Sequence, residues 1–413
     1  MSDGQKHGKN YVFWTSVALV TLYNSYRYPL QINSSGTSPT YSDTPLILQA
    51  GKYVLALPLI GISLFRWLTT SARMPKAPIV LGALYLSSFA LLKVLSSPDT
   101  QYLDFSFWML FSLLLALQVE AIDIASLDRY FLLLLAFAFA SDLVQVVLFL
   151  AIGRLPALAF STGLSVRFGG FLDDPNGFAA ILFLLLGYSY LRFKGRRRYL
   201  VLSMLVVCLV LTQSWTALAF FLAVSFLWVF FKALKRPLSA IVAICALPFV
   251  GVFALQLIPI LQQGFLLELL QSKQESIEGH IFPWSVWISK WTQWALLGDW
   301  KYNAYESFLQ AAMVNFGLLW FAAYLGLIIA MLVSMHQAFL KATEQSKPVF
   351  AGLLLYACYF LCGSLNLPMP TIFPINVLFF LFFFLVTLGK VTTASHSTES
   401  SRLVASFAKA TAE

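Results

Sequence analysis

Two polar segments interrupt a chain that is 59% hydrophobic and only 11% charged. The first, RFGGFLDDPNGFAA at 167–180, places Arg167 and Gly170 shortly before an Asp-Pro pair. An arginine beside a helix start offers several N–H donors in a positive local field, which suits an anionic group such as phosphate. A salt bridge to Asp173 or Asp174, or a contact with lipid headgroups, explains the same arginine equally well.

The Asp-Pro-Asn-Gly part of this segment predicts the start of a helix. Asp174 has the position of an N-cap and Pro175 that of the first helical residue, ahead of Asn176. Gly170 lets the chain turn before the cap. Capping accounts for the Asp and the Pro, so Arg167 is the residue left over for function.

The second polar segment, 259–306, contains the stretch WSVWISKWTQW. Its tryptophans recur at intervals that share one helical face, and they are Trp284, Trp287, Trp291 and Trp294. Such a stripe is typical of an anchor at a membrane surface. An aromatic platform for sugar rings or for a lipid-linked substrate is the alternative.

The same segment ends with Tyr305 and Glu306, at the entrance of another predicted helix. A carboxylate there is costly unless it caps the helix, pairs with a cation or does chemistry. Two interpretations of Glu306 therefore stay open, a helix cap or first-turn acid and a general base or substrate ligand. His280 is without a companion ligand, and the Asp173-Asp174 pair lacks a D-x-D spacing, so we expect no metal site.

Elsewhere, Asp142 and Gln145 lie within an apolar run. They could form a functional polar pocket, but hydrogen bonds to a neighbouring helix would suffice and are the favoured interpretation.

Composition predicts an all-α polytopic membrane protein of about 12 transmembrane helices with both termini cytoplasmic. The predicted spans are 11–26, 46–66, 77–95, 102–120, 129–152, 176–191, 199–213, 215–231, 238–258, 307–334, 348–364 and 374–389. They form one domain, 1–389, with outward loops at about 153–175 and 259–306, followed by a disordered cytoplasmic tail at 390–413.

The distribution of basic residues explains the net charge of +9 without nucleic acid. Most of the 27 Lys and Arg residues fall in segments that this topology places in the cytoplasm, as the positive-inside rule requires. Lys52 and Lys93 do not, and we expect their long side chains to snorkel towards the outer surface. The four cysteines lie in predicted spans, so we expect no disulfide framework.

Taken together, these motifs resemble those of the O-antigen polymerase and O-antigen ligase superfamily of bacterial membrane glycosyltransferases. RFGGFLDDPNGFAAILF is similar to the R-x-x-G-x-x-x-[DN]-P-N-x-x-A signature of that family. LTQSWTALAFF is similar to its T-x-S-R-[GT]-A segment, with Trp215 in place of the usual arginine. His280, Trp284, Gly298 and AYESFLQAAMVNFGLLWF match its second outward loop, so that the resemblance covers roughly 160–335.

The resemblance implies a GT-C-like fold and a metal-independent, inverting glycosyltransferase without a cofactor, in the inner membrane of a bacterium. Its substrate would be a polyprenyl-diphosphate oligosaccharide, and its partners a flippase and a chain-length regulator. Arg167 would bind the diphosphate with His280 or Lys290, and Glu306 would take the hydroxyl proton. Tyr305 and Glu306 stand where ligases have a histidine, which favours the polymerase branch.

Two other functions stay open from the sequence. One is an O-antigen ligase that transfers the glycan to a glycolipid or protein. The other is a flippase or transporter of lipid-linked oligosaccharides, which should distribute charged residues through a central cavity and show two related halves. The concentration of polar groups in two outward loops favours the enzyme.

Overall fold

The computed structural model describes residues 11–23, 46–69, 76–96, 100–119, 121–152, 159–162, 165–172, 174–234, 296–298, 307–365 and 367–392. These residues are mostly helical. Four of their helices are long and apolar enough to cross a membrane, namely Ala77–Leu95, Ile124–Ala151, Phe308–Lys341 and Lys347–Ser364. Shorter apolar helices pack beside them, as expected of a polytopic membrane protein.

The described α-helices are numbered here in chain order. They are α1 (Tyr11–Leu22), α2 (Leu46–Thr69), α3 (Ala77–Ser96), α4 (Thr100–Gln118), α5 (Ile124–Ile152), α6 (Pro175–Arg192), α7 (Gly195–Leu211), α8 (Trp215–Leu234), α9 (Phe308–Lys341), α10 (Lys347–Ser364) and α11 (Ile375–Thr387). The short strands are β1 (Ile122–Asp123), β2 (Ala159–Thr162), β3 (Ser165–Phe168) and β4 (Val391–Thr392).

Each predicted span except 238–258, which lies outside the described residues, corresponds to one of these helices. The helix bounds differ by a few residues because loop polarity does not mark a helix end sharply. α5, for example, begins at Ile124 instead of 129, and α9 continues to Lys341. The number of membrane crossings and their orientation stay predictions.

Helices α6 and α10 approach each other closely because each has a glycine at the contact. A Cβ atom on Gly187 would lie 2.7 Å from the carbonyl oxygen of Ala351. One on Gly352 would lie 2.6 Å from that of Leu184. Small residues of this kind let helix backbones touch inside a membrane. The two helices therefore pack closely along the C-terminal half of α6.

Helix α9 is kinked at Gly317, whose φ of 87° is in the left-handed region. Gly298, also at positive φ, packs its backbone against this kink, and a Cβ on it would lie 2.5 Å from the carbonyl oxygen of Asn315. The Leu319 amide donates to the Leu296 carbonyl across 3.3 Å. Residues 296–298 are thus held against α9, and the close approach of Gly298 to Gly317 is one that only glycine permits.

The expectation that Lys52 and Lys93 snorkel is not met. Lys52 Nζ lies 2.9 Å from Asp104 Oδ1, which also accepts hydrogen bonds from the Tyr53 hydroxyl and the Trp108 indole. Lys93 is fully buried. Polar partners within the bundle hold the Lys52 ammonium, so it has no need to reach the surface.

At the opposite end of the helices, β1 and β4 pair in parallel, with Ile122 opposite Val391 and Asp123 opposite Thr392. Ordered structure therefore includes the first residues of the predicted tail, whose remainder at 393–413 lies outside the described residues.

Candidate functional site around Arg167

The start of α6 is capped as the sequence predicts. Asp174 Oδ1 accepts from the Asn176 amide at 3.0 Å, and Oδ2 accepts from the Gly177 amide at 3.2 Å. Pro175 is the first helical residue. Because a carboxylate already binds these amides, an external anion would have to bind through side chains.

Arg167 stands on β3, which pairs with β2 so that Phe160 is opposite the arginine. Its Nε donates to the carbonyl oxygen of Thr212 at 3.1 Å, and its Nη2 donates to Asn176 Oδ1 at 3.2 Å. The hydroxyl of Ser214 donates to the same Asn176 oxygen at 2.6 Å. The motifs at 167–180 and 211–221, which are far apart in sequence, therefore meet at one amide side chain.

Both acceptors of Arg167 are neutral. The ion pairs in the described part of the chain are Lys52–Asp104, Arg192–Asp128 and Lys347–Glu344, so the salt bridge to Asp174 is not formed. The alternative partner, Asp173, lies outside the described residues. Burial lowers the pKa of the half-buried Arg167 guanidinium, and the nearby Asp174 carboxylate opposes that shift. Arginine nevertheless stays charged at neutral pH, and this charge favours an anionic ligand.

The loop between Arg167 and the cap is held by Gln145 of α5. The Gln145 side-chain amide donates to the Gly170 carbonyl at 2.8 Å, and its Oε1 accepts from the Gly170 amide at 3.0 Å. The partner is thus a loop backbone and not the neighbouring helix that the sequence favoured. Gly170 has a φ of 54°, and a Cβ there would overlap the ring of Phe178, so the position requires glycine.

Asp142, one turn away on α5, has a different neighbour. It lies near the Cys208 thiol of α7, on a neighbouring helix. Its Oδ1 atom has no hydrogen-bond partner among the described residues.

Tyr359 of α10 belongs to the site although the sequence did not single it out. Its hydroxyl donates to the backbone oxygen of Asn176 at 3.3 Å, and its ring stacks on Phe183 with the centroids 4.6 Å apart. A tyrosine hydroxyl inside an apolar helix requires a hydrogen-bond partner, and that requirement was the available signal.

The start of α9 corrects one interpretation of Glu306. The N-cap of α9 is Ser307, whose hydroxyl oxygen accepts from the Gln310 amide at 3.4 Å. Glu306 is therefore not the cap or a first-turn acid, and its role as a base or substrate ligand is the interpretation that stays open. Ser307 also donates to the carbonyl oxygen of Ser364 at the end of α10.

The other predicted site residues lie outside the described residues, and they are Asp173, His280, Trp284, Trp287, Lys290, Trp291, Tyr305 and Glu306. Within the described ranges, no group of three or more His, Cys, Asp or Glu could hold a metal ion.

No model of a known protein family matches the chain, and no curated protein is significantly similar to it.

Proposed function

We propose that this chain is a polysaccharide polymerase of the bacterial cytoplasmic membrane. It joins polyprenyl-diphosphate-linked oligosaccharide repeat units of an O-antigen, capsule or exopolysaccharide at the outer membrane face. One observation carries the proposal: the two segments that resemble family motifs converge on Arg167, through Thr212, Asn176 and Ser214. That convergence leaves a cation beside neutral acceptors, as a diphosphate site requires.

The chemistry follows from the side of the membrane on which it takes place. Nucleotide sugars are cytoplasmic, so an outward-facing glycosyltransferase needs a donor already across the bilayer, and a lipid diphosphate is also a good leaving group. The acceptor hydroxyl oxygen attacks the anomeric carbon, and the bond from that carbon to the diphosphate oxygen breaks with its electron pair on the diphosphate. Arg167 stabilises the departing charge. The anomeric centre is inverted.

The hydroxyl proton passes to Glu306 in this proposal. Helix α10 supports the pairing of Glu306 with Arg167. Ser307, the next residue in the chain, contacts Ser364, whereas Tyr359 on the same helix contacts Asn176 of the arginine site. Five helical residues correspond to a rise of about 7.5 Å, which is within the span of two linked sugars and a diphosphate.

The decisive experiment supplies the purified protein with a lipid-diphosphate repeat unit in the presence of a metal chelator. A ladder of products supports the polymerase, a single transfer to an added glycolipid acceptor indicates the ligase, and the absence of any new glycosidic bond contradicts both. Arg167→Ala and Glu306→Ala should each abolish the ladder. Arg192→Ala, at the C-terminal residue of α6, is the matched control and should retain the ladder.

A further inference from the structure

Gln145 fixes the backbone from which Arg167 reaches the site. We infer that Gln145 is a positioning residue, which sets the place where the Arg167 guanidinium meets the diphosphate of the lipid-linked donor. This inference rests on the proposed role of Arg167 as a diphosphate ligand.

The contact between Gln145 and Gly170 defines both position and orientation. One side-chain amide binds both the carbonyl and the N–H of the same residue, at 2.8 and 3.0 Å. The N–H belongs to the peptide group before the Gly170 Cα and the C=O to the peptide group after it, so the pair of bonds restrains both groups, whereas a single bond would restrain only one. Gly170 is three residues from Arg167, and the intervening Gly169 carbonyl closes a turn with the Leu172 amide at 3.0 Å.

Apolar contacts on either side of Gln145 hold the same loop against α5. Phe149 packs edge-on against Phe168, with the centroids 6.1 Å apart, and Phe137 packs against Phe171 at 4.7 Å. Ring contacts tolerate small displacements, because dispersion is not directional. The hydrogen bonds of Gln145 are directional, so they determine the position of the loop backbone between the two ring contacts.

Because Gln145 is buried, its side-chain amide needs hydrogen-bond partners within the protein. The side chain is fully buried on a mostly apolar helix, where an amide is costly unless its polar atoms are bonded. Gly170 satisfies both ends of the amide. Leucine at 145 would keep the volume but leave two buried backbone groups unpaired, and the loop would shift to find other partners.

A double-mutant cycle separates positioning from general stability. The probe is farnesyl diphosphate, a short polyprenyl diphosphate, and its dissociation constant is measured by calorimetry in detergent with farnesol as the phosphate-free control. Gln145→Leu should weaken farnesyl diphosphate binding about tenfold and leave farnesol binding unchanged. In an Arg167→Gln background, Gln145→Leu should cause no further loss, because its effect passes through the arginine.

Two further variants test the same inference if Gln145→Leu does not fold. Gln145→Glu retains an acceptor for the Gly170 amide but loses the donor to its carbonyl, so affinity should fall by an intermediate factor. Val144→Ala, at a 46% exposed neighbour on α5, should bind like the unmodified protein. Equal losses in the presence and absence of Arg167, or unchanged affinity in both Gln145 variants, would overturn the inference.

These outcomes are distinct from failure of the proposed function. If the protein shows the coupled loss of binding but forms no glycosidic bond, the positioning role of Gln145 is supported and the polymerase function is contradicted. If the protein makes a ladder that depends on Arg167 but not on Gln145, the polymerase function is supported and the positioning role of Gln145 is contradicted.

Discussion

Two arginines flank most of α6, Arg167 on β3 before the helix and Arg192 at its last residue, and they are held in opposite ways. At the C-terminal end, Arg192 binds both carboxylate oxygens of Asp128, at 3.0 and 3.3 Å, and Tyr188 donates to the same carboxylate. Before the N-terminal end, Arg167 binds a peptide carbonyl and an amide oxygen. One guanidinium is neutralised by its partner, and the other keeps its charge.

The difference separates a structural arginine from one available for chemistry. Coordination of both carboxylate oxygens leaves Arg192 little reason to attract another anion. Neutral acceptors orient Arg167 without cancelling its charge, and Asp174, the nearest described carboxylate, has both oxygens bonded to backbone amides. Changes at the two ends should therefore have different consequences.

The largest expected effect is that of Arg167→Gln on anion binding. A hydrogen bond to a charged group contributes about 1.5–3 kcal/mol, so loss of the charge-assisted contacts should weaken farnesyl diphosphate binding about 100-fold. Isothermal titration in detergent measures the affinity.

Arg192→Gln is the matched control for that change. It should leave the affinity unchanged and lower the free energy of unfolding by about 1 kcal/mol, because the lost ion pair is partly exposed. Equal affinity losses in the two variants would remove the distinction between the ends of α6.

Asn176→Asp should give Arg167 a carboxylate partner, as Arg192 already has in Asp128. One oxygen of the new carboxylate would stand where the amide oxygen now accepts from Arg167 Nη2 at 3.2 Å. The other would replace the Asn176 Nδ2 atom that now donates to Asp174 Oδ1 at 3.2 Å, so two adjacent carboxylates would compete with a ligand for the guanidinium. We expect farnesyl diphosphate affinity to fall at least about tenfold with little change in side-chain volume. Full affinity in this variant, with the protein folded by circular dichroism, would contradict a site based on the charge of Arg167.

Asp174→Ala should separate stability from binding at the same end of the helix. Loss of the N-cap costs about 1 kcal/mol of unfolding free energy, which a thermal melt detects. The affinity for diphosphate should rise about threefold, because two backbone amides are freed and a nearby negative charge is removed. A fall in affinity would show instead that the carboxylate takes part in substrate binding.

The smallest effect is expected at Glu344, the acid of an exposed pair with Lys347. Its hydrogen bond and charge interaction with Lys347 lower the pKa of the Glu344 carboxyl. The pair therefore contributes stability above the unfolded pKa, and this contribution is lost as the pH falls through the lower folded pKa. Since the Glu344 side chain is 90% exposed, Glu344→Gln should not shift the melting temperature measurably at pH 7.

Local patterns were sufficient to predict the helices and the cap of α6. Long apolar runs allow few structures in a bilayer, and an Asp followed by Pro marks a helix start within two residues. The cap interpretation of Glu306 failed although Ser307 stands next to it, and serine is a strong N-cap residue that could have been chosen from the sequence.

The partners of Arg167 could not be read in the same way. Thr212 contributes its backbone carbonyl, which every residue possesses, so no residue type marks it. Gln145 was recognised as a buried amide, but its partner is a loop backbone that only the fold brings near. Tyr359 reaches the site from α10, which also carries Tyr356, so residue type alone does not single it out. Tertiary contacts between distant segments determine these features.

The parallel pairing of β1 with β4 requires an even number of membrane crossings between the two strands. Residues paired by hydrogen bonds lie on one side of a membrane, so an even number of crossings must separate Asp123 from Val391. If each of the seven helices described between them, α5 to α11, crosses once, the count is odd. The span that the sequence predicts at 238–258 lies outside the described residues, and with it the predicted count between these strands is even.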